Sequence, residues 1–228
     1  MAVTDLDRRT AFIALQEWWF FGSQFVNGDD PDLPIENASG SHRVDGDERK
    51  GGFKQRVWTY FKYGVFPDSD GWIGKKPEPW SAAFISFCMR CGGAAAQFPY
   101  SSSHSDYVRR AVKNRQTGAT ANAIVAYDIK EQVPTVGDLL WKGRKGNAGE
   151  IDTTGWTYAD LVNYANSHEG SVPSHCDLVV QTETTKGFLY VIGGNVSNTV
   201  LRMKIAINSD GAVTSKRYAA IIKNNISE

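Results

Sequence analysis

The spacing of apolar residues changes halfway along the chain, and this change restricts the fold more than any other feature. Residues 5–25, 52–63 and 81–92 carry apolar side chains at near-helical spacing, which predicts three helices. Later runs are rich in β-branched residues and are separated by turns such as Ser209-Asp210-Gly211, which predicts strands. Helices followed by strands are typical of an α+β fold, here a helical N-terminal half packed on an antiparallel β-sheet.

The remaining predicted elements complete this pattern. Further helices are predicted over residues 107–114 and 157–167. Strands are predicted over residues 124–129, 139–141, 177–182, 188–192, 200–207 and 215–222. The 228 residues suit one domain with an extension. We therefore assign residues 1–50 to an N-terminal helix with a polar loop and residues 51–228 to the main domain, the two forming one compact unit.

The charge and hydropathy of the chain exclude several classes of partner. Acidic and basic residues number 25 each, and no long basic run occurs, so nucleic acid is not expected as a partner. No apolar run reaches about 18 residues, so no transmembrane segment is expected. Residues 1–9 lack the hydrophobic region of a signal peptide, which predicts a protein made in the cytoplasm without one. Neither a P-loop nor a G-x-G-x-x-G motif occurs, so no cofactor is expected.

The stretch from Glu78 to Phe87 predicts the start of a buried helix with a serine at its N-terminus. Pro79 and Trp80 precede Ser81, and a nearly continuous apolar run follows it. Two interpretations are open. Ser81 is either an N-cap, because serine is among the best N-caps, or a nucleophile beside the N–H groups and positive dipole end of a helix.

The four histidines of the chain allow the candidate bases to be enumerated. His42 and His168 lie in polar, turn-like segments and are predicted to be surface residues. His175 opens a predicted strand beside a turn, where an imidazole can face a cleft. Asn195 follows two glycines, which suggest a bend or bulge that redirects a side chain. Ser81, His175 and Asn195 can therefore be arranged as nucleophile, general base and the group that orients the imidazole.

Two other residues compete for roles in this arrangement. Asp177 shares a strand face with His175 and is a rival for the orienting role. Residues two apart on one strand seldom reach each other's Nδ1, so Asn195 is preferred. His104 either lines the cleft or belongs to a helix-capping loop.

A metal site is a different chemical alternative. His104-Ser105-Asp106 and His175-Cys176-Asp177 are both His-x-Asp, and a strand would place both side chains of such a pair on one face. Two such pairs could hold zinc or a two-metal hydrolytic centre. The first pair lies near a helix start, and the carboxylates expected of a two-metal site are not obvious, so no metal ligand is assigned.

Several segments together carry a resemblance to a known family. They are residues 80–86, Met89-Arg90-x-Gly92, His104-x-x-Tyr107, and residues 136–140, 174–180 and 193–198. They resemble a bacterial domain family of unknown function, which is similar in turn to the papain-like cell-wall peptidases of the NlpC and CHAP types. The likeness covers about residues 57–222, and the first 50 residues lie outside it.

The resemblance implies a fold, an activity and partners. The fold would be papain-like, with residues 51–228 as a hydrolase domain whose nucleophile lies at a helix N-terminus against the sheet that carries the histidine. The activity would be hydrolysis of a peptide or amide bond in peptidoglycan or a muropeptide. The family includes TseH-like toxins of type VI secretion. This implies an antibacterial effector with a secretion apparatus and an immunity protein as partners, and a signal-independent route to the periplasm of a target cell.

The main departure from papain-like enzymes is Ser81, which stands where they have cysteine. A cysteine can be held as a thiolate beside a protonated histidine, whereas a serine must lose its proton to the base during attack. The chain is therefore a working serine hydrolase, a catalytically inactive module that binds cell wall or a partner, or a protein engineered from a cysteine form. We favour the hydrolase.

Overall fold

The computed structural model describes residues 2–30, 32–37, 46–69, 79–168 and 170–227. Within these residues the chain forms five α-helices and a seven-stranded mixed sheet, which confirms the α+β class. His42, Glu78 and the middle of the predicted polar loop lie outside the described residues.

Most of the helices precede most of the strands, as predicted, although the first strand lies between the first two helices and the last helix lies between the third and fourth strands. The helices are α1 (Asp5–Phe20), α2 (Gly51–Thr59), α3 (Ser81–Gly92), α4 (His104–Thr117) and α5 (Tyr158–Ser167). The strands are β1 (Phe25–Val26), β2 (Ile124–Asp128), β3 (Leu139–Gly143), β4 (Ser174–Glu183), β5 (Phe188–Val196), β6 (Thr199–Ala206) and β7 (Ala220–Asn224). A π-helical segment, Tyr60–Val65, continues α2.

The sheet has the strand order β1-β6-β5-β4-β3-β7-β2. The short edge strand β1 runs parallel to β6, and the other pairings among the described strands are antiparallel. The predicted antiparallel sheet is therefore corrected to a mixed one. The first helix ends at Phe20 instead of residue 25, because Gly22 and Ser23 adopt positive φ and turn the chain into β1.

Helix α3 lies at the centre of the core, where it packs against α1, the π-helical segment, β4 and β5. Ten of its 12 residues are buried. It ends at Gly93, whose φ of 102° is the left-handed C-terminal conformation that glycine adopts easily, and this confirms the predicted end at Gly92-Gly93. A helix buried on nearly all sides holds its N-terminus at a fixed point in the molecule.

The central strands are buried on both faces. Leu139 and Trp141 of β3 pack with the helices, while Leu140 between them joins a second apolar cluster on the opposite face. Leu178 and Val179 of β4 divide in the same way. This alternation is the period-two pattern of a strand, and it fixes which side chains of β4 face α3 and α4.

Two predicted boundaries differ from the structure for local reasons. Helix α4 begins at His104, three residues before the predicted start. Strand β7 begins at Ala220 instead of residue 215, because Ser215 Oγ accepts the N–H of Arg217 at 3.1 Å and closes a turn there. None of the helices within the described part of the chain is long and apolar enough to cross a membrane.

Candidate active site

Ser81 is the first residue of α3, and its hydroxyl is engaged by a histidine from another helix. Trp80 holds the N-cap position without a side-chain cap bond, and Ser81 Oγ lies 2.7 Å from His104 Nε2. The interpretation of Ser81 as an N-cap is therefore wrong. Its oxygen turns toward His104 instead of toward the N–H groups of its own helix, and the residue is only 9% exposed.

The chain before Ser81 is anchored by buried aromatic contacts. Trp80 is fully buried, stacks on Phe21, contacts the tilted ring of Tyr60, and donates its indole N–H to Glu48. The first hydrogen bond of α3 joins the N–H of Phe84 to the carbonyl of Trp80 at 2.9 Å. The N–H groups of the preceding first turn have no intrahelical acceptor, so they and the helix dipole favour negative charge beside Ser81.

His104 begins α4 and is 4% exposed. Its Nδ1 is hydrogen-bonded to the hydroxyl of Tyr107, one helical turn further on. When Nδ1 carries the proton and donates a hydrogen bond to the Tyr107 hydroxyl, Nε2 presents its lone pair to Ser81. Burial lowers the pKa of His104 well below the ordinary histidine value, and the neighbouring His175 lowers it further. A neutral imidazole facing a serine hydroxyl can accept its proton.

His175 and Asp177 form a second pair on β4. His175 Nε2 lies 2.9 Å from Asp177 Oδ1, and the fully buried Asp177 also accepts Lys142 Nζ at 2.8 Å and the hydroxyl of Tyr218 at 2.7 Å. Burial by itself would raise the pKa of Asp177, but Lys142 and His175 outweigh it and hold that pKa below its ordinary value. Asp177 is therefore an anion that orients His175.

The Ser81–His104 pair and the His175–Asp177 pair lie next to each other. The rings of His104 and His175 meet edge to face with centroids 5.3 Å apart. The structure thus brings together Ser81, His104, His175 and Asp177. Among the described residues, however, the hydrogen-bond partner of Ser81 Oγ is His104 and not His175, the predicted base.

Among the described residues, Asn195, the predicted orienting residue, makes no hydrogen bond to this network. It sits at a bulge of β5 with a φ of 58°, as the two preceding glycines suggested. The strand passes the His175–Asp177 pair at Gly193 instead, where a Cβ atom would overlap both side chains. Asn195 was preferred to Asp177 because a residue two positions along a strand seldom reaches Nδ1 of its neighbour. In the structure Asp177 contacts the other ring nitrogen of His175, Nε2, so this argument did not exclude it.

Three residues of the network were not assigned from the sequence. Lys142 lies opposite His175 in the β3–β4 register, and Tyr218 precedes β7. Neither position carries a local motif. Tyr107 does have a sequence signal, because residues i and i+3 of a helix lie on one face, and its spacing from His104 fits this rule.

An open cavity of about 270 Å³ gives access to the serine–histidine pair. Ser81 and His104 form part of its wall. The remaining wall is supplied by Pro79, Ser102, Ser103, Arg144, Glu150, Ile151 and residues 171–174. Serine hydroxyls, one cation and one carboxylate therefore surround this cavity.

The two His-x-Asp pairs have different surroundings. Asp106 accepts a hydrogen bond from Ser101 Oγ at 2.7 Å, whereas Asp177 is already held by a lysine, a tyrosine and His175. Within the described ranges, no group of three or more histidine, cysteine or acidic side chains is arranged to hold a metal ion. His168 is exposed, as predicted, and stacks on Tyr164.

The fold and this site define an α+β protein with a serine–histidine pair at the N-terminus of a buried helix. Residues 16–225 match the DUF2272 family, described as an uncharacterized protein conserved in bacteria, and the chain belongs to this family. No curated protein and no solved structure matches the chain. The family match begins at residue 16, so most of the segment that was predicted to lie outside the resemblance is part of the family's domain.

Proposed function

We propose that this protein is a peptidase or amidase that cleaves peptide or amide bonds of the bacterial cell wall. Ser81 is the nucleophile and His104 the general base. The observation that carries the proposal is the 2.7 Å contact between Ser81 Oγ and His104 Nε2 at the N-terminus of α3, in the wall of an open cavity. The choice of cell-wall substrate rests on the resemblance to NlpC-type and CHAP-type peptidases.

The proposed reaction is acyl transfer in two stages. Ser81 Oγ attacks the carbonyl carbon while its proton passes to His104 Nε2. The first N–H groups of α3 face the resulting oxyanion. Collapse breaks the carbon–nitrogen bond, and the leaving amine takes the proton from His104. Water then attacks the acyl-serine, again with His104 as base, and releases the carboxylic acid and the free serine.

Asp177 supports His104 electrostatically in this proposal. When His104 takes the proton, it becomes an imidazolium beside the His175–Asp177 pair. The charge of Asp177 favours the protonated form of His104, whereas His175, Arg144 and Lys142 disfavour it. The proposed role of Asp177 is therefore to stabilise the charge of His104, and that of His175 is to position its imidazole through the edge-to-face contact of the two rings.

We extend this proposal to the fold, which we propose is papain-like, and to the biological role, which we propose is that of an antibacterial effector. A nucleophile at the start of a buried helix, packed against strands β4 and β5, agrees with a papain-like arrangement. The resemblance to TseH-like effectors supports an antibacterial protein directed at the periplasm of a target cell, with an immunity protein in the producing cell.

A fluorophosphonate probe tests the nucleophile without a choice of substrate. We expect the probe to phosphonylate Ser81 with loss of fluoride, because His104 can take the proton of Ser81, and mass spectrometry of the digested protein should locate the adduct. His104→Gln should lose the labelling, whereas the exposed His168→Gln should keep it. Equal labelling of the wild type and His104→Gln would remove His104 from the proposed role.

The pH dependence of cleavage tests the base. His104 must be neutral to accept the serine proton, and burial together with His175 lowers its pKa. It therefore stays neutral until the pH falls below the ordinary histidine value of about 6.5. We expect the acidic limb of kcat/KM against pH to lie below that value. An acidic limb above neutrality would contradict the assignment.

A further inference from the structure

Arg144 places a positive charge in the cavity beside the serine–histidine pair. It follows β3 directly and lines the same cavity as Ser81 and His104. Across the described parts of the chain, its guanidinium has neither a hydrogen bond nor an ion pair. The neighbouring cation Lys142, in contrast, is neutralised by Asp177. Arg144 is therefore a cation of the cavity wall that remains available to a ligand.

The acidic residue of the same wall does not neutralise Arg144. Glu150 also lines the cavity, but its Oε2 accepts the N–H of Asn147 at 2.7 Å. The serines in the wall offer hydroxyl groups, which carry no charge. An anionic group of a ligand would thus find one cation without an ion pair, together with the one carboxylate of Glu150, among the described residues of the wall.

The backbone that carries Arg144 is held firmly. Its N–H donates to Thr153 Oγ1 at 2.9 Å, and its carbonyl accepts the backbone N–H of Thr153 at 3.3 Å. Thr153 is fully buried, and a Cβ at Gly143 would overlap its carbonyl. The backbone at Arg144 is therefore fixed relative to the cavity, so binding through the guanidinium would order the exposed side chain and not the main chain.

We propose that Arg144 binds a carboxylate of the substrate, so that the preferred substrate is a peptide with a free carboxylate close to the scissile bond. This inference rests on the proposed peptidase or amidase function. A guanidinium presents a planar fork of N–H donors that matches the two oxygens of a carboxylate. A carboxamide at the same place offers one neutral acceptor and loses the charge-assisted pair.

Substrate binding would also change the environment of His104. The charge of Arg144 lowers the pKa of His104. A carboxylate paired with Arg144 would offset this charge and leave His104 a stronger base in the complex. Carboxylate recognition would then favour proton transfer from Ser81 as well as binding.

The test uses synthetic cell-wall stem peptides in which each free carboxylate is converted in turn to a carboxamide. At the peptide position whose carboxylate binds Arg144, the wild type should prefer the carboxylate to the carboxamide by roughly 10- to 100-fold in kcat/KM, the range expected for a charge-assisted hydrogen bond. Arg144→Gln should bring this ratio close to one. The adjacent Lys145→Gln, which does not line the cavity, should keep the wild-type ratio.

Two outcomes would overturn the inference. One is a wild type that cleaves all the peptides equally well, and the other is an Arg144→Gln variant that keeps the wild-type ratio. Affinities measured by calorimetry with the Ser81→Ala variant separate this inference from the proposed function. Absence of cleavage by the wild type would reject the hydrolase. Equal affinities for carboxylate and carboxamide peptides would reject carboxylate recognition, whether or not the protein cleaves them.

Discussion

Ser81→Ala and His104→Gln are each expected to lower the cleavage of cell-wall peptides by on the order of 10⁴-fold or more. The first change removes the attacking oxygen, and the second removes the group that takes its proton. Ser81→Ala should remain folded, because it loses a single side-chain hydrogen bond worth about 1 kcal/mol. His104→Gln changes a buried side chain with two hydrogen bonds, so its activity is compared with the wild type only at temperatures where it is folded. Digestion of purified muropeptides, followed by mass spectrometry of the fragments, measures the loss, and thermal unfolding monitors the fold.

Variants of the other histidines make this experiment specific. His175→Gln should reduce cleavage less than His104→Gln, because His175 bonds to Asp177 and not to Ser81. His168→Gln should match the wild type, since His168 is exposed and lies outside the cavity wall that contains Ser81. Complete loss in His175→Gln with full activity in His104→Gln would make His175 the base, as its strand position predicts. Sacculus binding by the wild type with no fragments released would instead favour the inactive binding module.

Asp177→Ala is expected to produce the largest loss of stability among the site variants, about 3–5 kcal/mol in the free energy of unfolding. The change removes a fully buried carboxylate and leaves the Lys142 ammonium, whose side chain is 12% exposed, without its counter-charge. The hydroxyl of Tyr218 also loses its acceptor. Denaturant unfolding followed by circular dichroism measures the loss.

Two further variants calibrate the Asp177 result. Asp177→Asn should retain more stability than Asp177→Ala, because the amide keeps the shape of the side chain and an acceptor for Tyr218. Asp210→Ala removes an exposed carboxylate in a turn and should change stability by less than about 0.5 kcal/mol. A loss below about 1 kcal/mol in Asp177→Ala would mean that Lys142 finds water or another acceptor, and the buried pair would then contribute little.

The local elements were predictable because their signals are local. The apolar run after Ser81 and the pair Gly92-Gly93 correctly indicated α3 and its end. The first helix was extended too far, because an aromatic run such as residues 18–21 is compatible with a helix until Gly22 and Ser23 turn the chain. The parallel edge strand β1 has two residues, too few for any periodicity to indicate it.

The site was predictable in part. Ser81, His104, His175 and Asp177 were all candidates, but the sequence favoured His175 and Asn195 as the partners of Ser81. Strand position makes His175 a reasonable base, and the glycines before Asn195 do mark a bulge. In the structure, Gly193 of strand β5 also leaves room for the side chains of His175 and Asp177, which a Cβ atom there would overlap. Close packing is therefore a second reason for a glycine before Asn195.

The sequence by itself determined the α+β class, the buried helix that starts at a serine and the short set of polar residues that could serve it. These properties follow from periodicity and composition, which act over a few neighbouring residues. Only the tertiary structure decided that Ser81 meets His104, which begins a different helix, and that Asp177 holds His175. Such contacts depend on how α3, α4 and β4 pack together. Periodicity assigns a side chain to a face of its element, but it does not determine the distance between faces of different elements.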